Sequence, residues 1–289
     1  MILWRAPKCD IIILTCREPL IIPRVEHAAP VMALLSPVHR VFNNYLRGKV
    51  RMEVFTMPKG IQAKGLAREN KLIHAGIKLF LENGYEKTTT ASISQAAGMS
   101  PTSFFASFES KEALLLRLTG EMFSNQFGMT GQLVGEDDPV LLYATETALQ
   151  IHITELSEPL RELYVMAYTL PSTLEYIYTN TAQKLMQIFS PYMPGTELKD
   201  FYELDIASGG ITRGFMAQHC NLYFTIEQKL QRYLSCCMTI YHVPQAKQDE
   251  VIKKVLALDL HSAAERIIQE TISRAEAGYR AALGLPAEE

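Results

Sequence analysis

The chain contains 289 residues, of which 48% are hydrophobic and 20% are charged, and its formal net charge is −3. No hydrophobic stretch is long enough to span a bilayer, which argues against a membrane protein. The five cysteines show neither a metal-ligand spacing nor a disulfide framework. We therefore expect a cytoplasmic protein that holds no metal ion and no other cofactor.

The first 56 residues differ from the rest of the chain in composition and in hydrophobic patterning. They contain the only tryptophan, five prolines and no sustained helical or strand period. One interpretation is a flexible extension with an unknown partner. The other is that translation begins at Met57, because the codons for Met52-Glu53-Val54 can contain a ribosome-binding sequence just before it. The change in composition and patterning favours the second interpretation, so we treat residues 1–56 as a doubtful extension, disordered or not translated.

A helix-turn-helix pattern begins near Lys71. Apolar residues recur at helical spacing through residues 72–80, and Gly84 suits the left-handed conformation that ends many helices. Three threonines, residues 88–90, supply N-cap hydroxyls for a short second helix. Gly98 follows that helix, so we expect a tight turn at this glycine.

A third helix is predicted directly after the turn. Ser100 can cap it, and Pro101 occupies its first position, where a missing N–H has no consequence. Phe104 and Phe108 stand four residues apart and can anchor this helix in a core. Ser110 is then the expected N-cap of a fourth helix. An ordinary helical hairpin would explain one such turn, but the agreement of caps, turns and periodicity favours a DNA-binding motif.

This segment resembles the DNA-binding domain of the TetR (tetracycline-repressor-like) family over roughly residues 68–118. The residues that carry the resemblance are Ala75, Leu79, Phe80, Gly84, Tyr85, Thr88, Thr89, Ile93, Ala96, Ala97, Gly98, Ser100, Phe104, Phe105, Phe108, Ser110, Lys111 and Glu112. The resemblance implies a homodimer whose third helices enter successive major grooves of double-stranded DNA. Residues 57–114 would then form the DNA-binding domain, and residues 115–289 a helical domain for ligand binding and dimerisation.

The resemblance also assigns roles by position. Thr89 and Lys111 would contact phosphates. The positions that would face the groove are Pro101, Thr102, Ser103, Phe105 and Ser107. Thr90 and Ser100, at the starts of the second and third helices, complete the expected DNA-binding set on this side.

Charge is distributed unevenly along the chain. Residues 57–111 contain seven basic and four acidic residues, a net charge of +3, whereas residues 112–289 carry a net charge of −10. The basic end can neutralise phosphates while the acidic bulk stays away from the duplex. Lys64 and Arg68, which precede the first predicted helix, could form an arm along the DNA. A solvated leader is the alternative for these two residues.

The expected groove-facing segment has an unusual composition for base recognition. Residues 100–108 contain none of the four side chains Arg, Lys, Asn and Gln, which read guanine or adenine with two hydrogen bonds. Phe105 stands where the family usually has a tyrosine, and Thr102 replaces a frequent glycine. Recognition would rely on hydroxyls, contacts with thymine methyl groups and DNA shape. We therefore expect a modest sequence preference for each base pair.

The acidic half contains only helical patterns, which predicts an all-α protein with one larger bundle behind the helix-turn-helix. The helices expected there are 114–127, 139–156, two that begin near residues 158 and 171, 199–220, 225–242 and 248–280. The resemblance also implies dimerisation through two late helices in a four-helix bundle, and small and apolar residues within 200–219 and 225–241 suit that contact. The same faces would equally serve a core within one chain.

Many Met and aromatic residues in this half could line a ligand pocket, although such residues also fill ordinary cores. The polar lining that we expect is Tyr143, His152, Tyr164, Tyr168 and Tyr176. His152 with Glu155 could bind a metal ion, but an isolated pair of this kind is usually structural.

Together with these patterns, the resemblance implies a homodimeric repressor that a small, largely apolar ligand releases from its operator. An enzyme is disfavoured, because we find no activated nucleophile, no paired catalytic carboxylates and no cofactor fingerprint. The alternative is a helical protein-interaction module with weak or no specific DNA binding. Loss of DNA affinity with rising salt would distinguish the regulator from that module.

Overall fold

The computed structural model of the chain describes residues 59–135 and 137–285, so the doubtful extension, residues 1–56, lies outside the described residues. Within these ranges the secondary structure is helical, which confirms the all-α prediction. The α-helices are α1 (Lys59–Asn83), α2 (Thr90–Ala96), α3 (Lys111–Val134), α4 (Pro139–Leu156), α5 (Glu158–Ala167), α6 (Pro171–Phe189), α7 (Leu198–Ala217), α8 (Ile226–Ile240), α9 (Gln245–Leu256) and α10 (Leu260–Ala282). Two 3-10 helices, Pro101–Ala106 and Ser190–Tyr192, complete the described elements.

The 3-10 helix Pro101–Ala106 takes the place of the predicted third helix, and we call it the recognition helix, the usual name for the second helix of a helix-turn-helix. It is shorter than expected because Ser107 leaves helical geometry, with a φ of −120°. Phe108 therefore anchors the segment from beyond the helix rather than from within it. Helix α1 is longer than expected and begins at Lys59.

The prediction of one long helix over residues 248–280 is wrong. The chain forms two helices there, α9 and α10, because Asp259 acts as an N-cap in the middle of the predicted span. Its Oδ1 accepts a hydrogen bond from Ser262 N at 3.1 Å, which satisfies an N–H at the start of α10. A change of direction between two helices needs such a cap, and hydrophobic periodicity alone does not reveal it.

Two clusters of buried apolar side chains organise the fold. The first, which we call the head core, consists of buried residues within 72–118 together with Leu163 of α5. The second, the body core, is built from α4 to α10 and Met122 of α3. Helix α3 passes without a break from one core to the other, so the predicted domain boundary at residue 114 falls inside its first two turns.

Helix α4 is the central helix of the body. Twelve of its side chains are buried, and it packs against α3, α5, α8, α9 and α10. Helix α10 packs along both α4 and α1, so it touches the body and the head. In the described ranges, no helix combines the length and the apolar character that a bilayer crossing needs.

Candidate DNA-binding surface and effector cavity

The entrance to α2 is fixed by short-range hydrogen bonds. Thr89 Oγ1 accepts from Ser92 N at 3.0 Å, and Ser92 Oγ accepts from Thr89 N at 3.0 Å. This reciprocal capping box confirms the predicted N-cap, and half-buried Thr90 is the first residue of the helix. Thr89 itself is exposed, but its hydroxyl is already bonded within the cap.

The turn between α2 and the recognition helix depends on Gly98. Its φ is +68°, a conformation that residues with a Cβ adopt only with strain. A Cβ at this position would meet nothing within 4 Å, so the backbone conformation and not the available space requires glycine. The predicted tight turn is therefore present.

Adjacent phenylalanines of the recognition helix point in opposite directions. Phe104 is fully buried in the head core, whereas Phe105 leaves 60% of its surface exposed. Ser100 Oγ lies 3.0 Å from Thr102 Oγ1 and 2.9 Å from Ser103 Oγ, and these hydroxyls share hydrogen bonds. Ser100 occupies the N-cap position, but its side chain bonds those hydroxyls and caps no backbone N–H. The result is a surface of hydroxyls, with one exposed aromatic ring on the same short helix.

Arg68 holds the end of the recognition helix. Its Nε donates to Ser107 Oγ at 3.0 Å, and one terminal nitrogen donates to the Ala106 carbonyl at 3.1 Å. Arg68 lies within α1, so it is not part of a leader that precedes the first helix. Lys64 also lies in α1 and is exposed, as is Pro101 at the start of the recognition helix. Arg68 therefore joins α1 to the predicted groove-facing segment.

The ammonium group of Lys111, predicted to contact a phosphate, already has partners within the chain. Its Nζ donates to the carbonyls of Tyr85 at 2.7 Å and Thr88 at 3.0 Å, and it lies 4.0 Å from the centre of the Tyr85 ring. Partial burial lowers the pKa of Lys111, an effect that the carboxylates of Glu86 and Glu162 oppose. Two of the three ammonium hydrogens are used by these carbonyls, which leaves one for a phosphate.

A cavity of about 50 Å³ lies in the body among α4, α6 and α7. Two of the five predicted ligand-lining residues, Tyr143 and Tyr168, form part of its wall. The buried Tyr168 hydroxyl donates to Gln150 Oε1 at 3.0 Å. Tyr143 packs edge-on against Phe189, with 5.0 Å between ring centres. The remainder of the wall mixes apolar side chains with hydroxyls and charged groups.

The other three predicted lining residues lie elsewhere. Tyr164 is buried in the body core, and the Tyr176 hydroxyl lies 3.1 Å from where a Cβ on Gly120 would be. His152 contributes to a separate, open cavity of about 400 Å³. Burial lowers the pKa of His152, and nearby His261 acts in the same direction. Helical spacing did not reveal which face of each helix turns towards the first cavity.

Three ionisable side chains that the sequence analysis missed also line the first cavity. Lys184 Nζ lies 3.4 Å from Glu146 Oε2, and Asp205 accepts hydrogen bonds from Thr181 Oγ1 and from Ser208 Oγ, the latter at 2.9 Å. Burial raises the pKa of Glu146 to about 7, although Lys184 opposes the shift. Burial also raises the pKa of Asp205 and lowers that of Lys184.

One signal in the sequence could have identified Glu146. It is the only Asp, Glu, Lys or Arg between Pro139 and Thr154 in a largely apolar helix, so helical packing must bury it or open a polar site beside it. Among the described residues, no group of three His, Cys, Asp or Glu side chains is arranged to hold a metal ion. Glu155, the expected partner of His152, instead bonds Lys229 at 2.6 Å and Arg161 at 3.3 Å.

Residues 72–118 match the family model described as bacterial regulatory proteins, tetR family. This stretch contains α2, the recognition helix and the head-core residues that support them. The chain carries a TetR-family DNA-binding domain. The matched segment agrees with the TetR resemblance expected over residues 68–118, and DNA binding and transcription regulation follow from it.

Two individual comparisons give an HTH-type relative and a similar fold. Over 159 residues the chain is 23% identical to YvkB of Bacillus subtilis strain 168, described as an uncharacterized HTH-type transcriptional regulator; the alignment covers 54% of this chain and 77% of YvkB. The crystal structure of RolR in complex with resorcinol superposes with a TM-score of 0.51 at 15% identity, covering 66% of this chain and 95% of RolR. At this identity the likeness to RolR establishes the fold.

Two glutamates connect the TetR domain to the body. Glu162 of α5 accepts a hydrogen bond from Glu86 N at 2.6 Å through Oε1. A Cβ at Gly84 would lie 2.1 Å from Glu162 Oε2, the end of a flexible side chain, and Gly84 has a φ of +81°, so the backbone conformation is what requires glycine there. Glu112 of α3 accepts hydrogen bonds from Ser172 of α6. These contacts link the head to α5 and α6.

Proposed function

We propose that the chain is a homodimeric transcription repressor that a small, largely apolar molecule releases from its operator by binding in the cavity between α4, α6 and α7. The observation that carries the proposal is the position of α6. Its middle lines the cavity through Ile177, Thr181 and Lys184, while Ser172 in its first turn bonds to Glu112 of the head. One helix therefore touches both the candidate effector site and the TetR domain.

The DNA side of the proposal rests on the recognition helix. Thr102, Ser103 and Phe105 offer hydroxyls and an aromatic ring, and Arg68 supports the helix end. Hydroxyls can bond to several base edges, and an apolar ring can contact a thymine methyl group. The proposed contact set also includes Lys64, Thr89, Thr90, Ser100, Pro101, Ser107 and the remaining hydrogen of Lys111.

The small size of the cavity supports a mechanism in which effector entry moves α6. At about 50 Å³ it is far smaller than the roughly 300 Å³ or more that small-molecule sites occupy. An effector must therefore part α6 from α4 and α7 to enter. Such a movement displaces Ser172 and disturbs its bond with Glu112 in the first turn of α3. A ligand that prefers the parted arrangement draws the population away from the DNA-binding arrangement.

The dimer contact that we propose uses α7 and α8. Ile206 of α7 is 47% exposed, so a large part of this aliphatic side chain has no cover from its own chain. Gly210 and Gly214 follow on the same helix, and a Cβ at either position would meet nothing within 4 Å. Close approach of a second helix would bury Ile206 and use the small size of both glycines.

The test is DNA binding by the full-length chain. Its affinity for the DNA upstream of its own gene is compared with that for a scrambled duplex of equal length, at two salt concentrations, by fluorescence anisotropy. We expect selective binding that weakens as salt rises, because phosphate contacts release counterions. Weak binding to both duplexes without salt dependence would contradict the proposal and favour a helical protein-interaction module.

A further inference from the structure

We propose that the second half of α10 is a strap that holds the head in its DNA-binding arrangement, and that α1 must move away from this strap when the protein releases DNA. We define the strap as residues 268–282. The inference rests on the proposed function and adds a regulatory contact to it. It follows from the anchoring of α10 in the body, from the contacts of the strap with α1, and from the size of the effector cavity.

The first half of α10 is fixed in the body. Four of its residues are buried members of the body core, Leu260, Ala263, Ala264 and Ile267. The helix continues from them without a break to Ala282. Because an α-helix rises about 1.5 Å per residue, the strap extends roughly 20 Å beyond this anchor. The body therefore sets the direction in which the strap points.

The strap lies against α1 of the head. The rings of His74 on α1 and Tyr279 on the strap are stacked, with 4.5 Å between their centres and 16° between their planes. One turn earlier on α1, Asn70 Nδ2 donates a hydrogen bond to the Gly278 carbonyl at 3.4 Å. Ile272 packs against the head core. The head cannot turn relative to the body while these three contacts persist.

The contact of α10 with the head is weaker than its anchor in the body. Within α10, which the structure describes throughout, no residue beyond Ile267 is buried. Ile272 and Tyr279 are half-buried, and the hydrogen bond to the Gly278 carbonyl is long. Segments with few buried apolar contacts open at a lower free energy than a buried core does. The head end of α10 is therefore the end that can separate.

The size of the effector cavity indicates which arrangement the strap favours. At about 50 Å³ the cavity is closed to an effector, so under the proposed function this arrangement of the chain is the one that binds DNA. Helix α10 also packs along α4, whose Tyr143 and Gln150 line the cavity. An effector that moves α4 displaces the anchor of the strap, and α1 then loses its contacts. Separation from the strap draws the population away from the DNA-binding arrangement.

The alternative is that the second half of α10 only stabilises the fold. In that case its contacts with α1 raise the free energy of unfolding but do not change the DNA affinity of molecules that are already folded. A link between α1 and the strap that can be closed and opened in one protein distinguishes the two roles, because only a strap makes DNA affinity depend on that link.

A reversible cross-link supplies this test. A Cβ built on Gly278 lies 3.9 Å from Asn70 Cβ, and a disulfide needs roughly 3.5 to 4.5 Å between these atoms. The double variant Asn70→Cys/Gly278→Cys of the full-length chain can therefore join α1 to the strap. The two single variants, oxidised in the same way, control for the native cysteines. Mass spectrometry after proteolysis establishes the cross-link.

DNA affinity is measured by fluorescence anisotropy in the oxidised and reduced forms, with the upstream and scrambled duplexes described above. We expect the oxidised double variant to bind upstream DNA at least as tightly as wild type, because the cross-link keeps α1 on the strap. A fall of about tenfold or more on oxidation would show that the head must leave the strap in order to bind DNA. That result would overturn the inference.

The variant Tyr279→Ala weakens the same contact by removing the ring that stacks on His74. We expect its affinity for upstream DNA to fall at least threefold. Ser273→Ala, at an exposed position of the strap, is the control and should bind like wild type. In Tyr279→Ala that also carries the cysteine pair, oxidation should restore affinity to within about twofold of wild type, and reduction should remove this gain. A melting temperature near that of wild type establishes that each variant is folded.

The outcomes separate this inference from the proposed function. Selective DNA binding by the wild type that neither oxidation of the cysteine pair nor Tyr279→Ala alters overturns the strap and leaves the regulator intact. Absence of selective binding in every form, the cross-linked one included, contradicts the proposed regulator and with it the role of the strap.

Discussion

Glu112 Oε1 accepts two hydrogen bonds from Ser172, one from the backbone N at 3.1 Å and one from Oγ at 2.5 Å. Glu112 lies in the first turn of α3, and Ser172 lies in the first turn of α6. The N-cap residue of α6, Leu170, has no side chain that can accept these hydrogens. The TetR domain therefore supplies the cap of a helix in the body, which ties the stability of α6 to the position of α3.

Loss of this cap should destabilise the chain measurably. We expect Glu112→Ala to lower the free energy of unfolding by about 1 kcal/mol, the usual effect of removing an N-cap acceptor. Glu112→Gln retains an amide oxygen and should lose less. Exposed Glu109→Ala is the control, and denaturant titration is the measurement. Equal free energies of unfolding for Glu112→Ala and the control would show that the cap does not stabilise the chain.

Arg68 should support DNA binding through the two hydrogen bonds of its guanidinium group and not through its charge alone. We expect Arg68→Ala to weaken DNA binding about tenfold, because Ser107 and the Ala106 carbonyl lose their donor. Arg68→Lys keeps the charge but not the paired geometry, so it should behave similarly. Lys64→Ala should instead reduce the salt slope by about one unit at every DNA sequence. If Arg68→Lys binds DNA with wild-type affinity, the positive charge alone is sufficient, and Arg68 would act only as a phosphate contact.

The neighbouring phenylalanines of the recognition helix should separate stability from DNA recognition. Phe104 is fully buried, so Phe104→Ala should lower the free energy of unfolding by about 3 to 5 kcal/mol. Phe105 is largely exposed, so Phe105→Ala should leave stability within about 0.5 kcal/mol while it weakens discrimination between DNA sequences. Thermal unfolding and competition with scrambled duplex measure the two effects. Unchanged discrimination in Phe105→Ala would remove that ring from the recognition surface.

Two glycines of α7, Gly209 and Gly214, offer a test of the dimer contact. A Cβ at Gly209 would lie 2.8 Å from the Tyr178 ring, whereas one at Gly214 would meet nothing within 4 Å of this chain. Gly209→Leu should therefore destabilise the fold itself. Gly214→Leu should keep the monomer folded, and by helix propensity even favour α7, but abolish dimerisation. Sedimentation velocity checks this, and a dimeric Gly214→Leu would place the contact elsewhere.

Glu146 should make stability depend on pH. Its folded-state pKa, about 7, lies above the ordinary glutamate pKa of 4.5, so its contribution to stability is fully present below pH 4.5 and is lost as pH rises through 7. The Glu146→Gln side chain cannot ionise, so the variant should not lose this stability as pH rises. We expect the variant to gain about 2 to 3 kcal/mol over wild type between pH 4.5 and pH 8. A difference between the two proteins that does not change with pH would contradict burial of an ionisable acid.

Much of the head could be predicted because its signals are local. Thr89 caps α2, Ser110 caps α3 through Ala113 N at 3.0 Å, and Gly84 and Gly98 adopt positive φ values. Each of these interactions spans a few residues, so residue type and spacing are sufficient to identify it. The same holds for Asp138, whose side chain accepts a hydrogen bond from Leu141 N at 3.2 Å at the start of α4.

The sequence by itself determined the all-α class, the helix-turn-helix and most helix starts, because propensity, caps and periodicity are short-range properties. Only the tertiary structure decided that Glu146, Lys184 and Asp205 share a cavity with Tyr143 and Tyr168. Periodicity defines the buried side of a helix but not the neighbour that covers it. Packing of distant helices, driven by non-directional burial of apolar surface, brings these charges together and sets their pKa values.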